Sequence, residues 1–291
     1  MSWRTVVISR RAKLDFRLNY LEVRSEDELF RINLSEISIL IIENTAVSLT
    51  AYLLCELMKN KIKVIFCDEK RNPHSELLSY YGSHDSSAKI RNQVGWNETT
   101  KDAVWTEIVR DKIRKQKTLL EWAKKEESCL LDEYLKELIF RDETNREGHA
   151  AKVYFNALFG LGFSRSVDNP INAALNYGYS ILLSAFNREI VAYGYITQLG
   201  INHRNIFNPF NFSSDLMEPF RPLVDRIVFE MQPETFGKAE RFHLTEILTV
   251  KIVIDKKNQF VNNAIGIYCK SIFVALDKSD LSLIRFYQNE L

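Results

Sequence analysis

Residues 169–200 read NPINAALNYGYSILLSAFNREIVAYGYITQLG, and this stretch decides the architecture. Asn169 has the side chain of an N-cap, and Pro170 stands at the first helical position, where a missing N–H is no loss. Gly200 is a natural helix stop. The helical pattern between them covers about 28 residues, roughly 40 Å at 1.5 Å per residue. Apolar side chains occupy most of its surface, which predicts the buried spine of a helical domain. Asn187, Arg188 and Glu189 interrupt the most apolar part, Gly178 to Ile196, so the stretch does not read as a membrane span.

Working outward, more helical pattern precedes the spine. Thr100 to Lys125 carries a sparse apolar stripe of Val104, Ile108, Ile113 and Leu120, and Leu130 to Phe140 is a second amphipathic segment. Upstream of residue 82 the period changes to two. Leu14, Phe16 and Leu18 alternate with polar residues, Ile37, Ile39 and Ile41 form another row, and Val64-Ile65-Phe66 is β-branched and aromatic. Val47, Leu49, Leu53, Leu54, Leu57 and Met58 fit one short helix packed on these strands. Asn72-Pro73 and the small, polar run Gly82 to Ser87 mark a break. The expected fold is α+β: an N-terminal β-sheet or sandwich domain with one short helix over 1–82, a linker over 83–99, and a larger all-α catalytic domain over 100–291.

Composition agrees with two ordinary globular domains. The chain has 291 residues, 46% hydrophobic and 12% aromatic, with Gly 10 and Pro 6, which excludes disorder and collagen-like structure. Thirty-nine basic side chains oppose 38 acidic ones, so a nucleic-acid partner must meet a local patch. One window offers it: Lys89 to Lys117 holds eight basic and four acidic residues. Within it, Lys112, Arg114, Lys115 and Lys117 read either as a solvated helix face or as a phosphate-contacting one. The four cysteines, Cys55, Cys67, Cys129 and Cys269, form no CxxC pair, which suggests a reducing compartment. With no signal-peptide pattern at Met1-Ser2-Trp3-Arg4, the expected location is the cytoplasm.

Phosphate-loop, GxGxxG, GxSxG and HExxH motifs are absent, which removes the common nucleotide, dinucleotide, hydrolase and zincin chemistries. Among five histidines, His74 and His84 fall in the expected linker region, His149 follows Glu147 by two, and His243 sits in an amphipathic stretch. His203 differs, because it follows the helix stop in the polar turn Asn202-His203-Arg204-Asn205. Glu147 has small neighbours in Arg146-Glu147-Gly148-His149-Ala150-Ala151. Glu218 lies in Asp215-Leu216-Met217-Glu218-Pro219-Phe220-Arg221-Pro222, three residues from Asp215, and reads equally as a helix cap or an arginine partner. Two carboxylates and an imidazole would suit Mg2+ or Mn2+ better than structural zinc. Spacing alone does not show that they meet.

Four ordered segments carry a resemblance. Glu147-Gly148-His149-Ala150-Ala151-Lys152-Val153-Tyr154-Phe155, Phe163-Ser164-Arg165 with Asp168 to Tyr179, Gly200-Ile201-Asn202-His203 and Asp215 to Asp225 are similar to the motifs of the CRISPR-associated integrases, the Cas one family. The chain looks most like the branch accompanying type II CRISPR systems. The resemblance implies that Glu147, His203 and Glu218 are catalytic ligands of Mg2+ or Mn2+, with Asp215 beside them. It implies a transesterification in which 3′-hydroxyl ends of a protospacer duplex are joined into a CRISPR repeat, by a homodimer bound to a Cas two dimer in a 4:2 complex with double-stranded DNA. Other type II CRISPR proteins are further possible partners. Asn172, Asn176 and Tyr177 would support the helix or the site, and Arg204, Arg221 and the Lys112–Lys117 face would contact phosphates. Two other classes stay open: a metal-dependent endonuclease on branched or single-stranded DNA, and a non-catalytic DNA-binding scaffold.

Overall fold

The computed structural model describes residues 4–26, 28–78 and 83–288. The chain divides into two compact units, Met1–Tyr80 and Tyr81–Leu291. Gly82, the end of the expected first domain, lies outside the described residues.

The first unit contains β1 (Arg4–Ile8), β2 (Lys13–Arg17), β3 (Tyr20–Arg24), β4 (Leu29–Asn33), β5 (Ile37–Ile42), β6 (Ser48–Leu49), α1 (Ala51–Lys59), β7 (Lys63–Cys67) and β8 (Pro73–Leu77). They form two four-stranded sheets, ordered β1-β5-β7-β8 and β4-β3-β2-β6. In the first, β5 pairs in parallel with β1 and with β7, which explains why all six of its residues are buried rather than every second one. The period-two reading fails again at Leu18. With Asn19 it forms the positive-φ turn between β2 and β3, and its side chain is exposed. Thr50 caps α1 by accepting from the Leu53 N–H, and Leu53 and Leu57 enter a core shared with Leu14, Leu21, Ile37 and Val64. Pro73 and His74, expected in a break, begin β8; the break itself is the turn that precedes it, where Arg71 has positive φ.

The second unit contains α2 (Ser86–Gly95), α3 (Glu98–Trp122), α4 (Ser128–Glu137), α5 (Arg146–Phe159), α6 (Pro170–Ala192), α7 (Asn211–Met217), α8 (Arg221–Met231), α9 (Lys238–Thr245), β9 (Lys251–Ile254), β10 (Lys257–Phe260), α10 (Val261–Lys278) and β11 (Tyr287–Gln288). Three sequence expectations need correction. The segment 83–99 is largely helical rather than a linker, and it is tied down: the Gln93 amide donates to the Ile196 and Leu199 carbonyls, and the Trp96 indole donates to Asp277. The unit is also not purely α, since β10-β9-β11 form a small antiparallel sheet. The spine α6 has 23 residues and ends at Ala192, short of Gly200. Gly194 supplies the left-handed residue (φ +85°), and the Tyr195 N–H returns to the Ile190 carbonyl at 3.1 Å, a Schellman closure that ends the helix one turn after Glu189. No helix among the described residues is long and apolar enough to cross a membrane.

The spine is capped as expected: the Asn169 side chain accepts from the Asn172 N–H at 2.7 Å. Thirteen of its residues, including Phe186 and Ile190, are buried. The 25-residue α3 is a second internal helix, packed against α4, α5, α8 and α10. Its buried face carries charge: Asp111, Lys112 and Lys115 lie among Ile108, Val109, Ile113 and Leu119. That placement determines the chemistry of the site.

Candidate active site

The site is assembled by four segments of the second unit. Glu147 stands in the first turn of α5. That helix start is organised by Asp142, whose carboxylate accepts from the Arg146 N–H at 2.7 Å and the Glu147 N–H at 3.0 Å. Glu218 opens a one-turn 3-10 segment, Glu218–Phe220, between α7 and α8, and is 4% exposed. Lys112, at mid-length of α3, reaches both: its Nζ lies 2.6 Å from Glu147 Oε1 and 2.5 Å from Glu218 Oε2. Arg221 completes the cluster, donating from Nε to Glu218 Oε1 at 2.9 Å. Two carboxylates 71 positions apart in sequence thus share one ammonium.

His203 lies on the loop between α6 and α7. Its Nδ1 is 2.5 Å from Asp215 Oδ1, and its ring packs edge-on against Trp105, two turns before Lys112 on α3. Asp215 is fully buried and also accepts the backbone N–H groups of Ile201, Asn202 and His203. Gly200 makes this approach possible: a β-carbon there would sit 2.6 Å from Asp215 Oδ2 and from the His203 carbonyl oxygen. Gly200 therefore serves the histidine loop rather than the end of the helix. Asp215, the weaker of the sequence assignments, becomes the group that orients the imidazole and leaves Nε2 as its other polar atom.

The electrostatics follow from these contacts. Burial opposes charge on Glu218, but Arg221 and Lys112 outweigh it and hold the carboxyl well below the usual range. Burial likewise opposes the Lys112 ammonium, and the charges of Glu147 and Glu218 override it, raising the pKa. The Asp215 hydrogen bond raises the pKa of His203 against burial, assisted through space by Asp215, Glu218 and Glu147. Burial pushes the Asp215 carboxyl up, against the pull of His203 and the backbone donors.

The structure therefore brings Glu147 and Glu218 together and sets His203 within their field. It does not gather all three at one point: no three His, Cys, Asp or Glu side chains among the described residues converge closely enough to hold a metal. The reason is local. In this arrangement Lys112 stands between the two glutamates, and Asp215 takes one nitrogen of His203.

The basic face expected along α3 is not a face. Lys112 and Lys115 are 7% and 4% exposed, because positions 105, 108, 112, 115 and 119 lie on the inward side of the helix. Lys115 pairs with Asp111, one turn earlier, and lies over the Tyr287 ring. Lys117 is partly exposed and paired with Asp132 at 2.8 Å and Glu121 at 3.4 Å, while Arg114 is exposed. Arg204 is exposed and ion-paired with Glu98 at 2.7 Å. Arg221 belongs to the carboxylate cluster and stacks over Tyr179.

The remaining motif residues support a loop. The Asn172 amide donates to the Ser164 and Val167 carbonyls, while Asn172 and Asn176 both accept from Arg165. Tyr177 is buried edge-on against Phe236. Periodicity had no means to show Asp142 capping α5 or Lys112 pairing inward. The legible signal for Lys112 was only its position, four residues after Ile108 on the apolar stripe.

Comparison with known proteins adds to this geometry. The family model described as CRISPR associated protein Cas1 matches residues 5–263. A relative from Neisseria meningitidis serogroup C (strain 8013), the CRISPR-associated endonuclease Cas1, is 34% identical over 264 residues, covering 89% of this chain and 87% of that protein. A solved casposase bound to integration product has the same fold, with TM-score 0.78 and 17% identity over 96% of this chain and 91% of that one. So does a chain of a Cas6-RT-Cas1–Cas2 complex, with TM-score 0.75 and 18% identity over 99% of this chain and 36% of that one.

Proposed function

The chain belongs to the Cas1 family of CRISPR-associated proteins, and from that membership we propose that it is a DNA integrase of CRISPR adaptation, of the branch found with type II systems. It joins the 3′-hydroxyl ends of a protospacer duplex into the CRISPR repeat by transesterification, in the cytoplasm. One observation carries the reading: Glu147 and Glu218, from distant segments, lie on a single cation inside the fold. Placing a buried carboxylate, Glu218, beside a partly exposed one, Glu147, costs desolvation and repulsion unless an opposite charge is supplied.

The donor set fits a hard divalent ion. Two carboxylates and one imidazole nitrogen leave room for further oxygen ligands. Glu218 Oε2 is buried and its near neighbour is the Lys112 ammonium at 2.5 Å, so a cation already occupies the position a metal would take. Glu147, Glu218 and His203 would hold Mg2+ or Mn2+, which when bound polarises a phosphate oxygen and stabilises charge on the attacking and leaving oxygens. The chain's own residues do the rest. Asp215 fixes the rotation of His203, Arg221 keeps Glu218 ionised, and Asp142 anchors the helix turn that presents Glu147. Exposed Arg114 and Arg204 are the better placed candidates for backbone phosphates, because Lys112 and Lys115 are buried.

The expected assembly is a homodimer, two of which join a Cas2 dimer in a 4:2 complex on double-stranded DNA. The fold shared with a chain of a Cas6-RT-Cas1–Cas2 complex supports the Cas2 partnership in this reading. The relatives' name, endonuclease, fits a second outcome of the same centre, with water replacing the 3′-hydroxyl as nucleophile. The test is a joining assay with Cas2, a 3′-hydroxyl duplex, a repeat-bearing plasmid and Mg2+ or Mn2+. Covalent joining that is lost in Glu147→Gln and His203→Ala, with DNA binding retained, is the expected result. Cleavage without joining would favour the nuclease, and unchanged joining in both variants would leave only a scaffold.

A further inference from the structure

We propose that Lys112 is a tethered counter-cation of this centre: its ammonium holds the position between Glu147 and Glu218 in the metal-free protein and must withdraw when a divalent ion enters. The inference rests on the reading of Glu147 and Glu218 as metal ligands. Three observations lead to it. The Lys112 side chain is buried, so its charge is neutralised by the protein and not by water. Its nitrogen contacts one oxygen of each glutamate, at 2.6 and 2.5 Å, so it is shared between two segments of chain and belongs to neither. The Glu218 contact is made at Oε2, whereas Arg221 uses Oε1, so the lysine does not share its oxygen with the arginine.

The energetic consequence has a definite sign. Without a cation the two adjacent carboxylates repel one another, and buried Glu218 also lacks hydration, while Glu147 is partly exposed. Lys112 removes that penalty in the metal-free state, so it lowers the free energy released when the metal binds. A lysine suits the role. Its four-carbon stem is flexible and its charge compact, whereas a bidentate arginine would lock onto the pair. Arg221 does not share the role, since it approaches Glu218 from Oε1 and leaves Oε2 to Lys112.

Replacing Lys112 with the uncharged, similarly long methionine destabilises the metal-free protein and leaves the metal-bound one much less affected. The experiment measures Mn2+ binding by electron paramagnetic resonance and thermal unfolding with and without Mn2+, on full-length wild type, Lys112→Met, Lys112→Gln and Glu147→Gln. Lys112→Gln keeps a hydrogen-bond donor and serves if the methionine variant does not fold. The expected result is Mn2+ affinity tighter by about tenfold or more in the Lys112 variants, a difference of the size produced by losing one buried charge partner. It is accompanied by a lower metal-free Tm and a larger rise in Tm on adding Mn2+. Unchanged or weaker Mn2+ affinity in both Lys112 variants, with wild-type binding still dependent on Glu147, overturns the proposal and leaves the metal reading intact. Absence of Glu147-dependent Mn2+ binding in wild type overturns both.

Discussion

Two buried lysines lie one turn apart on α3 and behave oppositely. Lys112 joins carboxylates from two other segments of the chain, and their charges raise its pKa despite burial. Lys115 is met by Asp111 of its own helix, and there burial prevails and lowers the lysine. The second pair is i,i+4, closed on itself and covered by the Tyr287 and Phe286 rings. The first carries more negative than positive charge until Arg221 is counted, and it opens towards a partly exposed histidine. Burial of charge therefore does not mark a functional site. What separates the two clusters is the convergence of like charges from separate segments on one cation, the feature on which the proposed function rests.

This contrast breaks if the Lys115 pair proves functional. Asp111→Ala strands an ammonium in the interior and is expected to cost about 3–5 kcal/mol, read by urea denaturation. The double variant Asp111→Leu, Lys115→Met is expected to recover to within about 1 kcal/mol of wild type and to join DNA normally, since an isolated buried pair is replaceable by apolar packing. A double variant that folds stably but cannot join DNA would remove the distinction.

Asp225 sharpens it from another side. This buried carboxyl is met by the hydroxyls of Tyr154 and Tyr179, and burial outweighs those hydrogen bonds, pushing it up to about 6. Glu218, equally buried but next to Arg221 and Lys112, moves the other way. Because the Asp225 carboxyl is raised above the unfolded value of about 3.9, folding favours its neutral form. Its contribution is full below about pH 4, is lost as the pH rises through about 6, and is constant beyond. The change is of order 2–3 kcal/mol. Urea denaturation of wild type and Asp225→Asn between pH 4 and 7 measures it as the pH-dependent part missing from the variant. Parallel profiles would show that Asp225 does not carry it.

Much of this was legible in the residues. Asn169-Pro170 announced the start of the spine, the alternating N-terminal strands announced sheets, and the four ordered motifs pointed to Glu147, His203, Asp215 and Glu218. What stayed hidden depends on tertiary closure. Gly194 and Gly200 are both plausible stops, and only the Tyr195 to Ile190 hydrogen bond selects the first. Strand β9 has a hairpin partner next to it in sequence, β10, but its other neighbour β11 returns to it from beyond α10, a pairing no local pattern shows. The basic run 112–117 looked solvated because charge alone does not reveal that acidic partners wait on the buried side. Lys112 is the clearest case, since its two partners lie 35 and 106 positions away.

The central claim is that the interior between Glu147 and Glu218 is a divalent-cation site for which Lys112 deputises. Anomalous diffraction from crystals soaked in Mn2+ tests it most directly. The account predicts a manganese peak bonded to Glu147, Glu218 and His203, with the Lys112 ammonium withdrawn from its place. A Lys112 nitrogen still seated between the two glutamates at saturating Mn2+, with no peak beside it, would contradict the account.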